Sequence, residues 1–193
     1  MVELEKNLSR LKHIEQVLNL FFISFYSDIK KVYYILEENE NSIKYELTFD
    51  KVINNSQKSI NWKYESCGTI KLLLEIPYLL DCVQGKVVFI DEIDNGIHDV
   101  LMNSIIFNLL KDMKGQIIFT THNTLLMNSL DPKYVYILNS DFQGNKTLTC
   151  VKDFERIQKN NNLRKKYLDG IYGGVPNSND IDFDDIFNNW DDK

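Results

Sequence analysis

Two short apolar runs, "VVFI" at 87–90 and "QIIF" at 116–119, constrain this chain more than any other feature. Between them, residues 97–113 carry apolar side chains at helical spacing, and strand, helix and strand in this order supply the long crossover that a parallel pair needs. The same alternation extends on both sides. Helix 68–84, strand 86–91, helix 97–113, strand 116–120, helix 123–129 and strand 133–139 follow in order, which predicts a parallel sheet covered by helices.

The flanks read differently. Leu8, Leu11, Ile14, Leu18, Phe21 and Phe22 recur at helical spacing and predict one long amphipathic helix over 2–27. "KKVYYILEE" and "SIKYELTFDKV" alternate as strands around a polar turn at 38–41, so a hairpin is expected, with a third strand in "SINWKYES". Downstream, "KTLTCVKDF" reads as an antiparallel edge strand and 153–167 as a closing helix.

A length of 193 residues suits one domain. The net charge of −6 is unevenly spread, for residues 179–193 hold six Asp and one Lys. This acidic, Asn-rich tail solvates a terminus, or else docks on a partner through its interleaved Ile181, Phe183, Ile186, Phe187 and Trp190. Cys67, Cys82 and Cys150 are odd in number and without C-x-x-C spacing, so reduced thiols are expected. No apolar run is long enough to span a bilayer and no basic segment with a cleavage site opens the chain, so the expected location is cytoplasmic with no membrane contact.

The chemistry lies at strand ends, where open α/β sheets bind ligands. The first apolar run passes straight into Asp91 and Glu92, a pair able to hold a cation and activate water, and equally able to cap the next helix. The second runs into Thr120, Thr121 and His122. A strand ending in "ESCGT" puts Ser66, Gly68 and Thr69 at a helix start, where free N–H groups receive an anion or where Ser66 or Thr69 acts as the cap. The phosphate loop that usually accompanies such a strand, G-x-x-x-x-G-K-[ST], has no match: Gly85-Lys86 is preceded at the required spacing by Leu80 and followed by Val87.

Taken in order, "ESCGT", "VVFIDE", "IDNGIHD" and "IIFTTHNTLLM" resemble the signature motif, Walker B, D-loop and switch strand of an ABC-class ATPase. The combination is similar to the bacterial AAA/ABC-type ATPases related to the overcoming-lysogenisation-defect (OLD) family, which commonly read E-S-x-G-T, D-E-x-x-x-x-x-H and T-T-H. "KKYLDGIYGGVP" resembles that family's closing Y-x-x-G-x-[FY]-G-x-x-P segment, and the likeness covers about residues 28–176.

The resemblance implies an α/β, ABC-ATPase-like fold of the P-loop NTPase class, with a parallel-sheet core lacking the phosphate-loop half and an N-terminal helix and β-hairpin. It implies a partial ATPase domain over 1–176, made of arm helix and hairpin (1–50), signature to switch (51–140) and closing strand and helix (141–176), before an acidic tail at 177–193. ATP and Mg²⁺ are the implied cofactors. Asp91 would hold the metal through its water shell, Glu92 would polarise the attacking water and His122 would sense the γ-phosphate. Ser66, Gly68 and Thr69 would face the nucleotide of a second subunit, and Asn95 to His98 would cross the interface of an ATP-dependent dimer. His98 stands where many ABC proteins carry Asp, as is usual in this family. The implied partners are a chain carrying the Walker A half and a nuclease effector, with DNA as a further candidate in a DNA-linked or phage-defence system. Two other readings stay open: a non-catalytic interaction protein or truncated orphan that binds and modulates an intact ATPase, and a metal-dependent hydrolase using Asp91, Glu92, His98 and His122.

Overall fold

Phe22, one turn past Leu18, decides where the first helix packs. α1 (Val2–Phe25) buries both residues, and the Phe22 ring meets Phe49 edge-on with centroids 5.2 Å apart. Burying a side chain of this size contributes roughly 1.5–3 kcal/mol. The computed structural model describes residues 2–39, 42–154, 162–176 and 180–190. Residues 40 and 41 of the predicted turn, 155–161 of the predicted closing helix, and 177–179 and 191–193 of the tail lie outside the described residues.

β1 (Ile29–Asn39), β2 (Ser42–Ile53) and β3 (Ser56–Asn61) form an antiparallel sheet in that order, with Phe49 opposite Val32 on one side and Ile60 on the other. α1 also satisfies backbone groups of β1: the Asn19 amide accepts from the Val32 N–H at 2.9 Å and donates to its carbonyl, and Glu15 accepts from the Tyr34 N–H at 2.6 Å. A helix lying over a strand in this way blunts an edge that would otherwise pair with other chains. The third strand is shorter than expected. It stops at Asn61, whose side chain accepts from the Lys63 N–H and starts a 3₁₀ turn at Trp62–Tyr64.

α2 (Cys67–Val83), β4 (Val87–Ile90), α3 (Asp99–Asp112) and β5 (Gln116–Phe119) follow, with β4 and β5 parallel as expected and Val88 opposite Ile117. Leu72, Ile76, Leu79 and Cys82 of α2 and Met102, Ile105, Ile106 and Leu109 of α3 are buried. So is Val88. The other face of the pair is bare, with Val87 58% and Phe89 73% exposed and Ile118 exposed beside them.

Contacts divide the chain into two units, residues 1–123 and 124–193. In the second, α4 (Leu126–Ser129) is a single turn rather than the helix expected over 123–129, and the residues before it close tighter bonds, the Met127 and Asn128 N–H groups donating to the Thr124 and Leu125 carbonyls three positions back. β6 (Tyr136–Ser140), expected as a third parallel strand, is found in an antiparallel pair with β7 (Lys146–Cys150). The one-turn α5 (Val151–Phe154) and α6 (Leu163–Leu168) occupy described parts of the predicted closing segment. Met127, Ile137, Val151, Leu163 and Tyr172 make this unit's core. The tail carries one helix, α7 (Phe183–Trp190). Among the described residues no helix is long and apolar enough to cross a membrane, and all three cysteines are free thiols.

Candidate functional site

The parallel ladder does not end with the strands. The Thr120 N–H donates to the Ile90 carbonyl at 3.1 Å and the Ile93 N–H donates to the Thr120 carbonyl at 3.1 Å, so the residues after β4 and β5 stay side by side. Between these bonds lie Asp91 and Glu92. The Thr120 hydroxyl accepts from the Glu92 N–H at 2.7 Å and donates to the Asp91 carboxylate. One threonine therefore fixes both acids. Sequence reasoning passed it over, although its place in T-T-H beside an acid pair was the available signal.

Glu92 adopts φ +49°, a left-handed conformation that costs a non-glycine residue about 1–2 kcal/mol. Three bonds hold it there besides Thr120. Its carbonyl accepts from Lys71 Nζ at 2.8 Å and from the Asn95 N–H at 3.0 Å, while its carboxylate accepts from the Asn95 amide at 3.1 Å. Asn95 thus belongs with Glu92 in the same turn. A conformation of this kind persists only where the surrounding bonds over-determine it, as they do here.

The remaining predicted residues are distributed around this turn. His98 caps α3, its Nδ1 accepting from the Val100 N–H at 3.2 Å, which leaves Nε2 on the outward side of the ring. Asp91 and Glu92 are not the caps of that helix. His122 is exposed two residues beyond Thr120, and the next residue, Asn123, is buried and donates to the Asp99 carbonyl at 2.9 Å, tying the switch loop to the first turn of α3.

The signature residues have a different character. Ser66 caps α2, its hydroxyl accepting from the Thr69 N–H at 3.2 Å and lying 2.9 Å from the Thr69 hydroxyl. Thr69 is buried and hydrogen-bonds Tyr26, whose phenol burial pushes above its ordinary pKa. Its side chain therefore faces inward. Gly68 is buried against the D-loop, where a Cβ would lie 2.3 Å from the Gly96 carbonyl oxygen. Preceding them, Glu65 pairs with Lys51 at 3.0 Å.

Behind the site sits a buried acid that sequence reasoning also missed. Glu75 lies on the inward stripe of α2, at helical spacing from Leu72 and Leu79, and that spacing was the signal. Neither carboxylate oxygen accepts a hydrogen bond, and Oδ1 of Asp94 in the D-loop is likewise buried without one. Burial pushes the Glu75 carboxyl up to about 7, against the opposing pull of Lys71 at 3.5 Å and with Asp94 adding to the rise. Because this folded-state value lies above the ordinary 4.5, the folded chain holds a proton that the unfolded chain has already lost between the two. The contribution of this group to stability should be fullest below pH 4.5 and should be lost as pH rises to about 7, by on the order of 3 kcal/mol. Urea denaturation across this range should show the slope, and Glu75→Met should flatten it and stabilise the chain on the alkaline side. An unchanged slope in Glu75→Met would assign the pH dependence to another group.

Among the described residues no three His, Cys, Asp or Glu side chains come together as a metal site. One exposed carboxylate with an oxygen to spare suits Mg²⁺, which keeps most of its water and is bound through one or two carboxylates together with substrate phosphates.

A family model described as "AAA domain, putative AbiEii toxin, Type IV TA system" matches residues 5–128. The chain belongs to this AAA-domain family. The match takes in more than half of the 193 residues and includes every site residue described above. No curated protein sequence matches this AAA-domain chain. Among solved structures it is similar to a chain from work on ATP-driven dimerization and DNA-stimulated activation of SMC ATPases, with TM-score 0.56 and 15% identity over 80% of this chain and 98% of that one. An Smc head bound to the C-winged helix domain of ScpA matches with TM-score 0.48 and 14% identity, over 76% of this chain and 45% of that one. An Smc head domain with an extended coiled coil, bound to the C-terminal domain of ScpA and derived from Pyrococcus furiosus, gives 0.49 and 16%, over 76% and 37%. At these identities the likeness is one of fold, and the fold is the mixed α/β architecture of SMC and ABC ATPase heads.

Proposed function

We propose that this AAA-domain chain supplies the signature, Walker B, D-loop and switch histidine of an ABC-type ATP site, with the phosphate-cradling Walker A segment supplied by another chain. The observation that carries the reading is the Thr120 joint, which holds Asp91 and Glu92 together at the carboxyl end of a parallel strand beside the loop of His122. When bound, ATP–Mg²⁺ supplies the scissile phosphoanhydride and the charge neutralisation that phosphoryl transfer needs. Asp91 holds a hydrated cation through its free oxygen. Glu92, oriented by Asn95, accepts a proton from water, and His122 positions that water from the neighbouring loop.

Two features support a partner. The bare face of β4 and β5, with Val87 and Phe89 exposed, is unusual for a parallel pair, which is ordinarily covered on both sides. The family's description as a putative toxin of a toxin–antitoxin system fits a chain that acts with a second protein, and we place it in a defence system of OLD-like character with a nuclease or DNA downstream. Assembly is expected to be ATP-dependent and to bring Ser66 and the D-loop of one subunit to the nucleotide of another. The alternative of a non-catalytic modulator draws on the inward-facing Thr69 and the capping role of Ser66, which leave few free donors at the signature.

The isolated chain should bind ATP–Mg²⁺ negligibly, because no residue run in its sequence forms the glycine-rich cradle. Co-expression with the separately encoded front half of a related ATPase should restore binding, measured by calorimetry on the purified complex. Micromolar binding by the chain alone would overturn the composite site. A complex that forms and still fails to bind ATP would favour the modulator.

A further inference from the structure

Helix α7 is too short to hold itself together. It has eight residues, whereas isolated helices below about 12–15 residues are marginal in water. Its start is well made: the Asp182 carboxylate accepts from the Asp184 and Asp185 N–H groups at 3.0 and 3.2 Å, and acids in the first turn suit the helix dipole. What it lacks is a surface. Phe183, Ile186, Phe187 and Trp190 fall at i, i+3, i+4 and i+7 on one stripe, yet all are exposed, Phe183 by 75% and Trp190 by 80%. This is the anchor pattern of a helix that lies in a groove. Residues 180–190 carry four Asp and no Lys or Arg, so the groove must be apolar at its floor and basic at its rim.

The unit of residues 1–123 has such a groove, an open cavity of about 1050 Å³ between α1, the β1–β2 hairpin and α2. Val17, Leu73, Leu74 and Pro77 line it from the two helices, and Ile35 and Tyr45 from the hairpin. Leu74, Ile35 and Tyr45 are left exposed. Arg10, Lys44 and Lys63 stand among its lining residues against two acids, Glu37, which faces Lys44 across the strands, and Glu46, so the rim keeps a positive balance, and Arg10 and Lys63 have no ion-pair partner among the described residues. One polar detail also fits. Pro77 has no N–H, so the Leu73 carbonyl has no donor at the usual helical position, and a tryptophan indole is a donor with no acceptor of its own.

We propose that α7 of one copy seats its apolar stripe in this groove on a second copy, with its aspartates toward Arg10 and Lys63. The stripe and Leu74, Ile35 and Tyr45 of the groove are each exposed, and two copies present one to the other. The proposal does not depend on the ATPase reading. It is tested on the full chain without nucleotide. At about 100 μM, where small interfaces of this kind associate, light scattering after size exclusion should show self-association that weakens at high salt. Phe187→Asp, on the stripe, and Leu74→Asp, in the groove, should each weaken it at least tenfold; both sites are exposed, so the fold and its circular dichroism should be unchanged. Mixing the two variants should restore a heterodimer, since one brings an intact groove and the other an intact helix. Several results would overturn the proposal: a wild-type monomer at this concentration, which would be the outcome if α7 engaged its own chain; association untouched by either variant but lost in Phe89→Ser, which would assign it to the bare sheet face; and failure of the mixture to recover.

Discussion

In a complex whose phosphate cradle comes from a partner chain, Glu92→Gln is expected to lower ATP turnover by about 10²–10⁴-fold while leaving ATP binding within a few-fold of wild type, the range that a positioned general base contributes. The geometry makes this a clean substitution. The carboxylate oxygen that accepts from the Asn95 amide at 3.1 Å is replaced by an amide oxygen that accepts equally well. The bonds that the Glu92 carbonyl accepts from Lys71 and Asn95 and that its N–H donates to Thr120 do not involve the side chain, so the left-handed turn should persist. What disappears is the ability to take a proton. Asp91→Asn should behave differently. It leaves an acceptor for the Thr120 hydroxyl but removes the negative charge that holds a hydrated cation, so magnesium-dependent binding should weaken along with turnover. Single-turnover hydrolysis and equilibrium nucleotide binding on the same preparations separate the two. Full activity in the Glu92→Gln complex would remove Glu92 from the catalytic role, and the proton acceptor would then have to be sought at His122.

How much of this was legible in the sequence follows from the range of the interactions involved. β4, β5 and α3 were readable because wholly apolar runs and a helical stripe are local patterns, and their pairing follows from crossover length. The pieces misjudged, the helix expected from 123 and the third parallel strand, are four and five residues long in the structure, too short for a periodic pattern to fix their extent or their pairing. The site divides in the same way. Asp91, Glu92 and His122 were visible as reactive types at strand ends. Thr120, Lys71 and Glu75 were not singled out, because their importance lies in contacts with residues 21 to 29 positions away or in burial that only packing creates. His98 shows a further limit. A motif assigns it to an interface, but its immediate task in the chain is to cap α3, and nothing local distinguishes the two.

Gly68→Ala is the substitution with the largest expected effect on stability, about 3 kcal/mol, at the upper end of what overpacking costs. In the first turn of a helix alanine would ordinarily gain up to about 1 kcal/mol over glycine. Here its Cβ would fall 2.3 Å from the Gly96 carbonyl oxygen and 3.2 Å from the carbonyl carbon. Both are main-chain atoms, so no side-chain rotation relieves the clash. Gly96 is itself held at φ +76° in the turn that carries Glu92 and Asn95, so the D-loop must shift as a whole or α2 must lift away from it. Gly144→Ala is the control, because Gly144 has a positive φ but nothing within 4 Å, and should cost only the conformational strain of about 1–2 kcal/mol. Chemical denaturation of both variants without nucleotide makes the comparison. It also separates two explanations of the glycine. A glycine kept to admit a phosphate from another subunit would leave the chain's own stability untouched when replaced. A glycine kept so that the signature helix and the D-loop of one chain can touch would lower it at once, with faster hydrogen exchange at the Asn95 and Ile97 amides, whose bonds to Glu92 and Asp94 define the turn. An alanine variant as stable as wild type, with those amides equally protected, would show that the backbones can part without cost and would return Gly68 to the role of ligand contact.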